Sequence, residues 1–513
     1  MPASFLHGVE VIEMPNGPVP VMVVKSAVIG LVGTAPSWAV VSPSVAPAPN
    51  TPTLVSSARD AANFGPVVRG YSIPYALAAI QAQGAGQAIV VNVLNPNIHF
   101  TAIAATAFTF NTQGAINLGH MDVSNVVVTS NPAGTTYVAG TDYTLDAVNG
   151  AITIVPTGSG GHITAGASVL IAFNYADPSK MADTDIVGAV EGGVYTGMQA
   201  FQTTYGTMGF FPKILIAPGY SQDTTVATAI TAMAARIRAM ALVDSPPSTA
   251  VAAAITNRGV VGNAFATSST RTILCYPQET FYDTGIVPTG VTLNPSGTPL
   301  TSQFNANSVG PYSQWVAGAI AAKDLAQGYW WSLSNTQVNG ILGPDVQLYA
   351  SILDASSDTN NLNAAGIVTV FHEFGTGLRV WGNRSAEYPA STAPDNFISV
   401  RRTMDVIEES LELAMLQFID QPISNALITA ILASANAFIR SLIQRGALMA
   451  GAASFNPAEN PATQIAAGQL VFDIDVMPPP PAERITFEAF IDVTLLQQLG
   501  QTSPITVAAG ATS

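Results

Sequence analysis

Charged residues are scarce in this chain of 513 residues. They make up 10% of the sequence, whereas soluble domains commonly carry about 25%. Apolar residues reach 48%, and the mean hydropathy is +0.35. Large exposed apolar patches mark interfaces, so this composition predicts an obligate assembly in which other chains cover much of the surface. The alternative is a monomer unusually rich in alanine and valine.

Basic residues and cysteines are also few. The chain has 17 Lys and Arg against 32 Asp and Glu, which gives a formal net charge of −15. Direct nucleic-acid binding is disfavoured, because phosphate neutralisation requires clustered Lys and Arg. The single cysteine, Cys275, excludes an intrachain disulfide. The first residues lack the basic and apolar regions of a signal peptide, so we expect synthesis in the cytoplasm without secretion by that route.

No apolar run predicts a membrane span. The longest, at 426–439, contains Ser434 and Asn436 and leads into Arg440 and Arg445. A span needs about 20 largely apolar residues. The spacing favours a buried amphipathic helix instead, and we expect no membrane insertion.

Histidines are too dispersed to predict a metal centre. The five of them lie at positions 7, 99, 120, 162 and 372. His372-Glu373 begins a zinc-protease motif, but Thr376 stands where the second histidine is needed. The segment 375–382 carries a lone G-x-G without the third glycine of a dinucleotide-binding loop. We therefore expect no metal, no cofactor and no catalytic residue.

One geometric feature supports an enzymatic interpretation. Polar residues and glycine follow two predicted parallel strands at Gly219, Ser221, Asp244 and Ser245, and α/β enzymes place their sites at such carboxyl ends. No G-x-S-x-G elbow accompanies them, and Asp and Ser are ordinary helix caps. An α/β-fold enzyme remains the less favoured alternative.

The element pattern predicts an α/β multi-domain chain. We expect an α/β core with a central sheet and flanking helices, an inserted all-β, sandwich-like domain, and extended N- and C-terminal β arms. Asn149-Gly150 between alternating runs indicates a hairpin in the insertion. The predicted divisions are an N-terminal arm at 1–20, core at 21–97, insertion at 98–178, a second α/β part at 179–365, a C-terminal core domain at 366–477 and an arm at 478–513.

Two amphipathic helices are predicted in the C-terminal core domain. The first places Ile407 and Leu411 on its apolar face and an acidic stripe on the other. That stripe contains Asp405, Glu408, Glu409 and Glu412. It is either a solvated face or a surface that docks on a basic partner. The second helix is expected to end at Gly446.

The C-terminal arm opens with four prolines, 478–481, and continues into an alternating strand pattern. Its apolar face contains Ile485, Phe487, Ala489, Ile491 and Val493. The prolines disfavour a tight hairpin with the preceding predicted strand, although a looser local sheet remains open. That preceding strand alternates Leu470, Phe472, Ile474 and Val476. A similar short strand is predicted near the N-terminus, with Val9, Val11, Ile12 and Glu13.

In their order and spacing, four stretches of the sequence resemble the contractile tail sheath proteins of tailed bacteriophages. The first stretch, 5–36, begins FLHGVEVIEM, and the second, 193–220, contains GVYTGMQAF and GFFPKILIAPGY. The third, 377–385, is GLRVWGNRS, and the fourth, 457–493, ends in ITFEAFIDV. Together with the strand–helix framework between them, they cover most of the chain.

The resemblance implies a structural subunit that builds stacked hexameric rings around a tail tube and contracts from a metastable extended state. It implies partners in further copies of itself, the tail tube protein, and the baseplate and tail terminator proteins, in a virion tail assembled in the host cytoplasm. It also implies that both arms add strands to neighbouring subunits, with 470–476 in the acceptor sheet. Glu408, Glu409 and Glu412 are the candidates for facing the tube. A sheath of a phage-derived particle, such as an R-type bacteriocin or an extracellular injection system, fits equally well.

Overall fold

The computed structural model describes residues 21–39, 46–293, 299–303, 306–373 and 375–494. The chain divides into two compact units, Met1–Pro481 and Ala482–Ser513. The strands and helices of the described residues lie in the first unit. In the second unit, residues 482–492 carry no regular secondary structure.

The helices are, in chain order, α1 Ala58–Ala61, α2 Ser72–Ala82, α3 Asp183–Val187, α4 Thr204–Met208, α5 Thr224–Ile237, α6 Val251–Asn257, α7 Ser313–Ala326, α8 Asp358–Ala364, α9 Ile398–Met415, α10 Asn425–Gln444 and α11 Ala462–Ala466. The strands are β1 Val28–Gly33, β2 Thr53–Val55, β3 Gln87–Asn92, β4 Phe100–Thr109, β5 Ala115–Asn117, β6 Val123–Ser130, β7 Thr136–Tyr137, β8 Tyr143–Asp146, β9 Ala151–Ile154, β10 Ser168–Ala176, β11 Val190–Glu191, β12 Val194–Tyr195, β13 Ile214–Ile216, β14 Met240–Asp244, β15 Thr272–Cys275, β16 Glu279–Asp283, β17 Ile286–Leu293, β18 Pro299–Gln303, β19 Ala306–Gly310, β20 Thr336–Gln337, β21 Gly343–Pro344, β22 Ile367–Glu373, β23 Gly377–Trp381, β24 Ala450–Ser454 and β25 Asp473–Met477.

A nine-stranded sheet organises the first unit, with the order β2-β3-β1-β13-β14-β15-β22-β23-β20. The six strands from β3 to β22 pair in parallel, and β2, β23 and β20 extend the two ends antiparallel. Parallel neighbours require crossover connections, which α2 and α5 supply. The predicted α/β class is confirmed.

Both faces of this sheet are buried. Side chains alternate between the faces of a strand, so Ile29 and Leu31 of β1 join one apolar cluster with Trp315 of α7. Val28 and Val32 join the other cluster, beneath α5 and Phe201. A sheet covered on both faces explains why β1 is apolar throughout instead of alternating.

The insertion forms two sheets of its own, β4-β10-β6-β7 and β5-β9-β8. Ile152 and Ile171 from the two sheets share one buried cluster with Phe110, which follows β4. The hairpin predicted at Asn149-Gly150 is confirmed, because β8 and β9 pair across it and Gly150 adopts φ 64°. The first and last strands of the insertion lie side by side, and Phe100 pairs with Ala176.

Helices α9 and α10 pack together through their predicted apolar faces. Ile407 and Leu411 of α9 contact a cluster that includes Phe438 and Leu442 of α10. Gly446, at φ 77°, follows the end of α10 as predicted. Strands β24 and β25 pair antiparallel as a separate two-stranded sheet, and Ala453 joins the same cluster.

The prediction that α10 is a buried helix holds for one face. Leu427, Ala435 and Phe438 are buried, whereas Ala433 and Ala437 are exposed. Among the described residues α10 is the one helix long and apolar enough to cross a membrane. Of its most apolar stretch of 18 residues, 28% is buried. Core helices of soluble proteins meet the same length and composition criteria, so this feature is weak support for a span.

The predicted start of the C-terminal core domain, residue 366, falls inside the central sheet. Strands β22 and β23 follow it directly and pair with β15 and β20. The helical part of the C-terminal region begins later, with α9 at Ile398. A sequence pattern gives the strands but does not show which sheet they join.

Candidate assembly interface

The sheet β24–β25 is too small to be stable by itself. Two-stranded sheets are marginal in water, and this one relies on α10, against which Ala453 is buried. Residues paired across it share a face, so Ala453 lies beside Ile474 on the helix-facing side. Ile474 is nevertheless 42% exposed. The helix-facing side is therefore incompletely covered at β25.

An asparagine of α10 occupies the outer edge of β24. The Asn436 side chain donates from Nδ2 to the Ala453 carbonyl at 2.9 Å and accepts the Ala453 N–H at 2.9 Å. In an antiparallel pair, the backbone groups of successive residues point alternately toward and away from the partner strand. The groups of Ala453, and with them those of its partner Ile474, therefore point away from the strand pair.

A second asparagine closes the other end of the sheet. Asn460 is buried, donates to the Val471 carbonyl at 3.0 Å and accepts the Val471 N–H at 2.8 Å. It also donates to the Asn456 carbonyl at 2.9 Å. These bonds hold the segment before β25 in place.

The C-terminal arm carries the largest exposed apolar side chains near the end of the described chain. Phe487 is 90% exposed, Ile491 98% and Ile485 71%. Phe490, on the opposite face by alternation, is 83% exposed. Residues 482–494 are all exposed, so no described residue of the chain covers the apolar face that the sequence predicts for an inserted strand.

The N-terminal arm residues Val9, Val11, Ile12 and Glu13 lie outside the described residues. The described chain begins at Val21 and packs Val21 and Val23 against the cluster between α9 and α10. The Val24 N–H donates to Ser410 Oγ of α9 at 3.1 Å. The segment that follows the N-terminal arm is thus attached to the same helices that support β24.

The acidic stripe of α9 is neutralised by basic residues of the α/β part. Glu409 forms a buried ion pair with Lys213, whose pKa is lowered by burial and pulled back by that carboxylate. Asp405 is buried and pairs with Arg271 and with Arg401. The solvated-face alternative is wrong for Asp405 and Glu409, because both are buried against cations, of which Lys213 and Arg271 lie far away in sequence.

The outer half of the stripe is more accessible. The Glu412 side chain is 60% exposed and accepts from Arg238 Nη2 at 2.6 Å. Glu408 is 36% exposed and pairs with Arg401 at 2.9 Å. On the adjoining turn of the helix, Arg402 forms a buried pair with Asp324 of α7. These pairs fix α9 against the α/β part.

Two of the polar residues that supported an enzymatic interpretation, Ser221 and Asp244, form a buried network with Ser313. Ser221 Oγ donates to Asp244 at 2.9 Å, and the Ser313 N–H donates to the same carboxylate at 2.7 Å. All three residues are fully buried. Burial raises the Asp244 pKa to about 6, and the hydrogen bonds from Ser313 and Ser221 oppose that rise. Among the described residues, no three His, Cys, Asp or Glu side chains form a group that could hold a metal ion.

Sequence reasoning missed the two asparagines and the cationic partners. In the sequence, Asn436 is a polar residue that interrupts an apolar helix, and Asn460 is one residue of a loop. Neither position indicates the backbone groups to which its side chain bonds. Lys213 lies in a strand that reads as buried and apolar, which is a signal for a paired charge because lysine is almost never buried alone.

Comparison with known proteins supplies independent observations. Residues 193–386 match the family described as phage tail sheath protein central domain, and residues 391–492 match phage tail sheath C-terminal domain. Residues 98–182 match a family described only as a protein of unknown function. The insertion is thus recognised separately from the sheath regions.

Two relatives match over long stretches. The tail sheath protein of Burkholderia phage BcepMu is 44% identical over 495 residues, which cover 96% of this chain and 98% of that protein. A putative prophage major tail sheath protein of Pseudomonas aeruginosa is 30% identical over 317 residues, covering 62% of this chain and 74% of that protein.

A solved structure shares the fold at low sequence identity. The helical sheath of the anti-feeding prophage in its contracted state matches with a TM-score of 0.55 and 17% identity, over 96% of this chain and 100% of that one.

Proposed function

This chain belongs to the phage tail sheath proteins, and from that premise we propose that it polymerises as stacked hexameric rings around a tail tube. The rings are built in an extended, metastable state and contract to drive the tube through the host envelope. The observation that carries this proposal is 44% identity over 98% of a phage tail sheath protein. The proposed partners are further copies of the chain, the tube protein, and the baseplate and tail terminator proteins.

The proposed link between subunits is strand exchange. An arm of one copy adds a strand to the β24–β25 sheet of another, as peptides add to exposed sheet edges. Two features support this: the small sheet has an incompletely covered side at Ile474, and the arm has an uncovered apolar face with Phe487 and Ile491. Burying each large apolar side chain of the arm stabilises the contact by about 1.5–3 kcal/mol.

A shared sheet suits a machine that changes shape. Backbone hydrogen bonds and buried side chains hold the strand in its acceptor, while the segment leading to it can bend. The prolines at 478–481 span about 12 Å if extended at about 3.1 Å per residue. Subunits can therefore rotate as bodies without losing their connections.

The acidic residues of α9 are a separate proposal for contact with the tube. Glu412 and Glu408 keep side chains that a basic surface could reach, at 60% and 36% exposure. Glu409, at 11%, is held by Lys213. Exposed charges act mainly on encounter and register, so we expect these two to orient the sheath on the tube.

Deleting residues 484–513 tests the strand-exchange proposal. We expect a folded, soluble chain that forms no tubes, because the described part of the arm, residues 482–494, is exposed. Negative-stain electron microscopy measures assembly, and circular dichroism and the melting temperature measure folding. A truncated chain that builds tubes as readily as the full-length chain would refute strand exchange by this arm.

A sheath in a phage-derived particle is the second candidate. The solved structure with this fold comes from such a particle, and its identity is too low to show more than the fold. Genes for a capsid and a DNA-packaging system beside the sheath gene would identify a phage.

A further inference from the structure

The acceptor sheet has two edges, and the structure makes them chemically different. At β24, the outward backbone groups of Ala453 are both bonded to the Asn436 side chain. At β25, the outward groups of its partner Ile474 and of Val476 have no such side chain among the described residues. An unpaired row of N–H and C=O groups is what recruits a further strand.

The hydrogen-bond alternation around Ala453 agrees with this assignment. The Met449 N–H donates to the Met477 carbonyl at 2.9 Å, and Ala450 pairs with Met477 in the register. The inward-pointing residues of β25 are therefore Asp473, Asp475 and Met477, which leaves Ile474 and Val476 to face outward.

We propose that the sheet grows in one direction only, from β25, and that Asn436 excludes a strand from the edge of β24. The strand at β25 comes from the C-terminal arm of a second copy of this chain. This inference rests on the proposed strand exchange and names the edge that exchange uses. A second imported strand, if present, pairs with the first imported strand and not with β24.

The faces of the sheet and the arm correspond. The helix-facing side at β25 shows Ile474 and Val476, and the solvent side shows Asp473 and Asp475. The arm divides the same way: one face carries its odd-numbered apolar residues, and the other carries Arg484, Thr486, Glu488, Phe490 and Asp492. Laid beside β25, the apolar face extends the cluster under α10, and Arg484 lies on the same side as the two aspartates. Opposite charges across neighbouring strands favour pairing and like charges disfavour it. The favoured register is therefore one that places Arg484 beside Asp473 or Asp475 and keeps Glu488 and Asp492 away from them.

Disulfide cross-linking between copies tests the edge. Ala452 and Asp475 are matched positions, because they pair directly, are both exposed and lie on the solvent side. Each is replaced by cysteine together with a cysteine in the arm, either Glu488→Cys or Thr486→Cys. The native Cys275 is fully buried and serves as an internal control.

Distance separates the two positions. Neighbouring strands lie about 4.8 Å apart, and a disulfide requires Cα atoms within about 7 Å. A strand beyond β25 is therefore within reach of position 475 and about 10 Å from position 452. We expect interchain disulfides in assembled tubes for Asp475→Cys with an arm cysteine, and less than a tenth of that yield for Ala452→Cys, read on non-reducing gels and by mass spectrometry.

The outcomes distinguish this inference from the proposed function. Cross-linking at 452 equal to or above that at 475 overturns the edge assignment and leaves strand exchange standing. Tubes that cross-link at neither position with either arm cysteine overturn strand exchange into this sheet.

The role of Asn436 has its own variant. Asn436→Ala removes both side-chain hydrogen bonds, and Asn436→Leu removes them while preserving volume. In either background we expect the yield at 452 to rise to within a few-fold of that at 475. An unchanged yield at 452 in variants that assemble shows that the asparagine is not what excludes the strand.

Discussion

Lys213 and Glu409 illustrate what a single buried ion pair does in this chain. The pair joins the residue before β13 to α9, and its side chains are 7% and 11% exposed. Removing one partner leaves the other charge buried, which costs about 3–5 kcal/mol, whereas replacing both with apolar residues is often neutral or stabilising.

We therefore predict that Lys213→Ala lowers the free energy of unfolding by about 3–5 kcal/mol, and that the double variant Lys213→Met with Glu409→Leu restores it. Glu412→Gln is the control, because the Glu412 side chain is 60% exposed and pairs at the surface contribute about 0–1 kcal/mol. Urea denaturation of the assembly-deficient truncated chain measures all three. A double variant as unstable as the single one would show that the charges, and not their pairing, support the fold.

Glu279 is a buried carboxyl group, and neither of its oxygens has a hydrogen-bond partner among the described residues. Burial, with the nearby Asp345 carboxylate adding to it, raises the Glu279 pKa well above its ordinary value. The folded chain then holds a proton that the unfolded chain releases, so stability is full below the unfolded pKa and is lost as pH rises toward the folded one.

We predict that Glu279→Gln equals the parent in stability near pH 4 and exceeds it at pH 7, since the amide cannot ionise. Melting temperatures across that range measure the difference. Glu488→Gln in the exposed arm should leave the pH profile unchanged. If the melting temperatures of the parent chain and Glu279→Gln differ by the same amount at every pH, the effect comes from packing and not from ionisation.

At the scale of elements, local pattern predicted most of the fold. Helices α9 and α10 and the hairpin at Asn149-Gly150 follow from periodicity and turn chemistry, which are encoded within a few neighbouring residues. The sheet to which β22 and β23 belong, and the cations that neutralise α9, depend on residues far away in sequence. Asn436 shows the same limit, because its bonds to Ala453 exist only once α10 and β24 are packed.

The C-terminal arm offers an element-scale test within one segment. Phe487 and Phe490 are the same residue type and are exposed to 90% and 83% in the single chain, but they fall on opposite faces of the predicted strand. We predict that Phe487→Ser reduces tube formation at least ten-fold while Phe490→Ser has a minor effect, with melting temperatures of both subunits unchanged. Sedimentation of assembled tubes measures the difference, and equal losses would contradict an inserted strand with one buried face.

At the scale of the whole molecule, the insertion is a separable part. Its ends meet where Phe100 pairs with Ala176, and its own cluster contains Phe110, Ile152 and Ile171. One apolar contact with the rest of the first unit is made by Met121, which packs with Val68, Tyr71 and Leu94.

We predict that replacing residues 100–176 with a short Gly-Ser linker leaves a chain that folds and still forms tubes. The loss of the Met121 contact should lower stability by about 2–5 kcal/mol. Melting temperature and electron microscopy test this, with Met121→Ala in the intact chain as the control for the lost contact. A deletion that folds but does not assemble would make the insertion part of the lattice contacts.

Adjacent chain ends at Phe100 and Ala176 also make this position a splice point. A foreign domain whose own termini lie about 5 Å apart, the separation of paired strands, can enter there without stretching the host sheet. Because each subunit carries one such point, a polymer of this chain would display its cargo at a fixed repeat along its length.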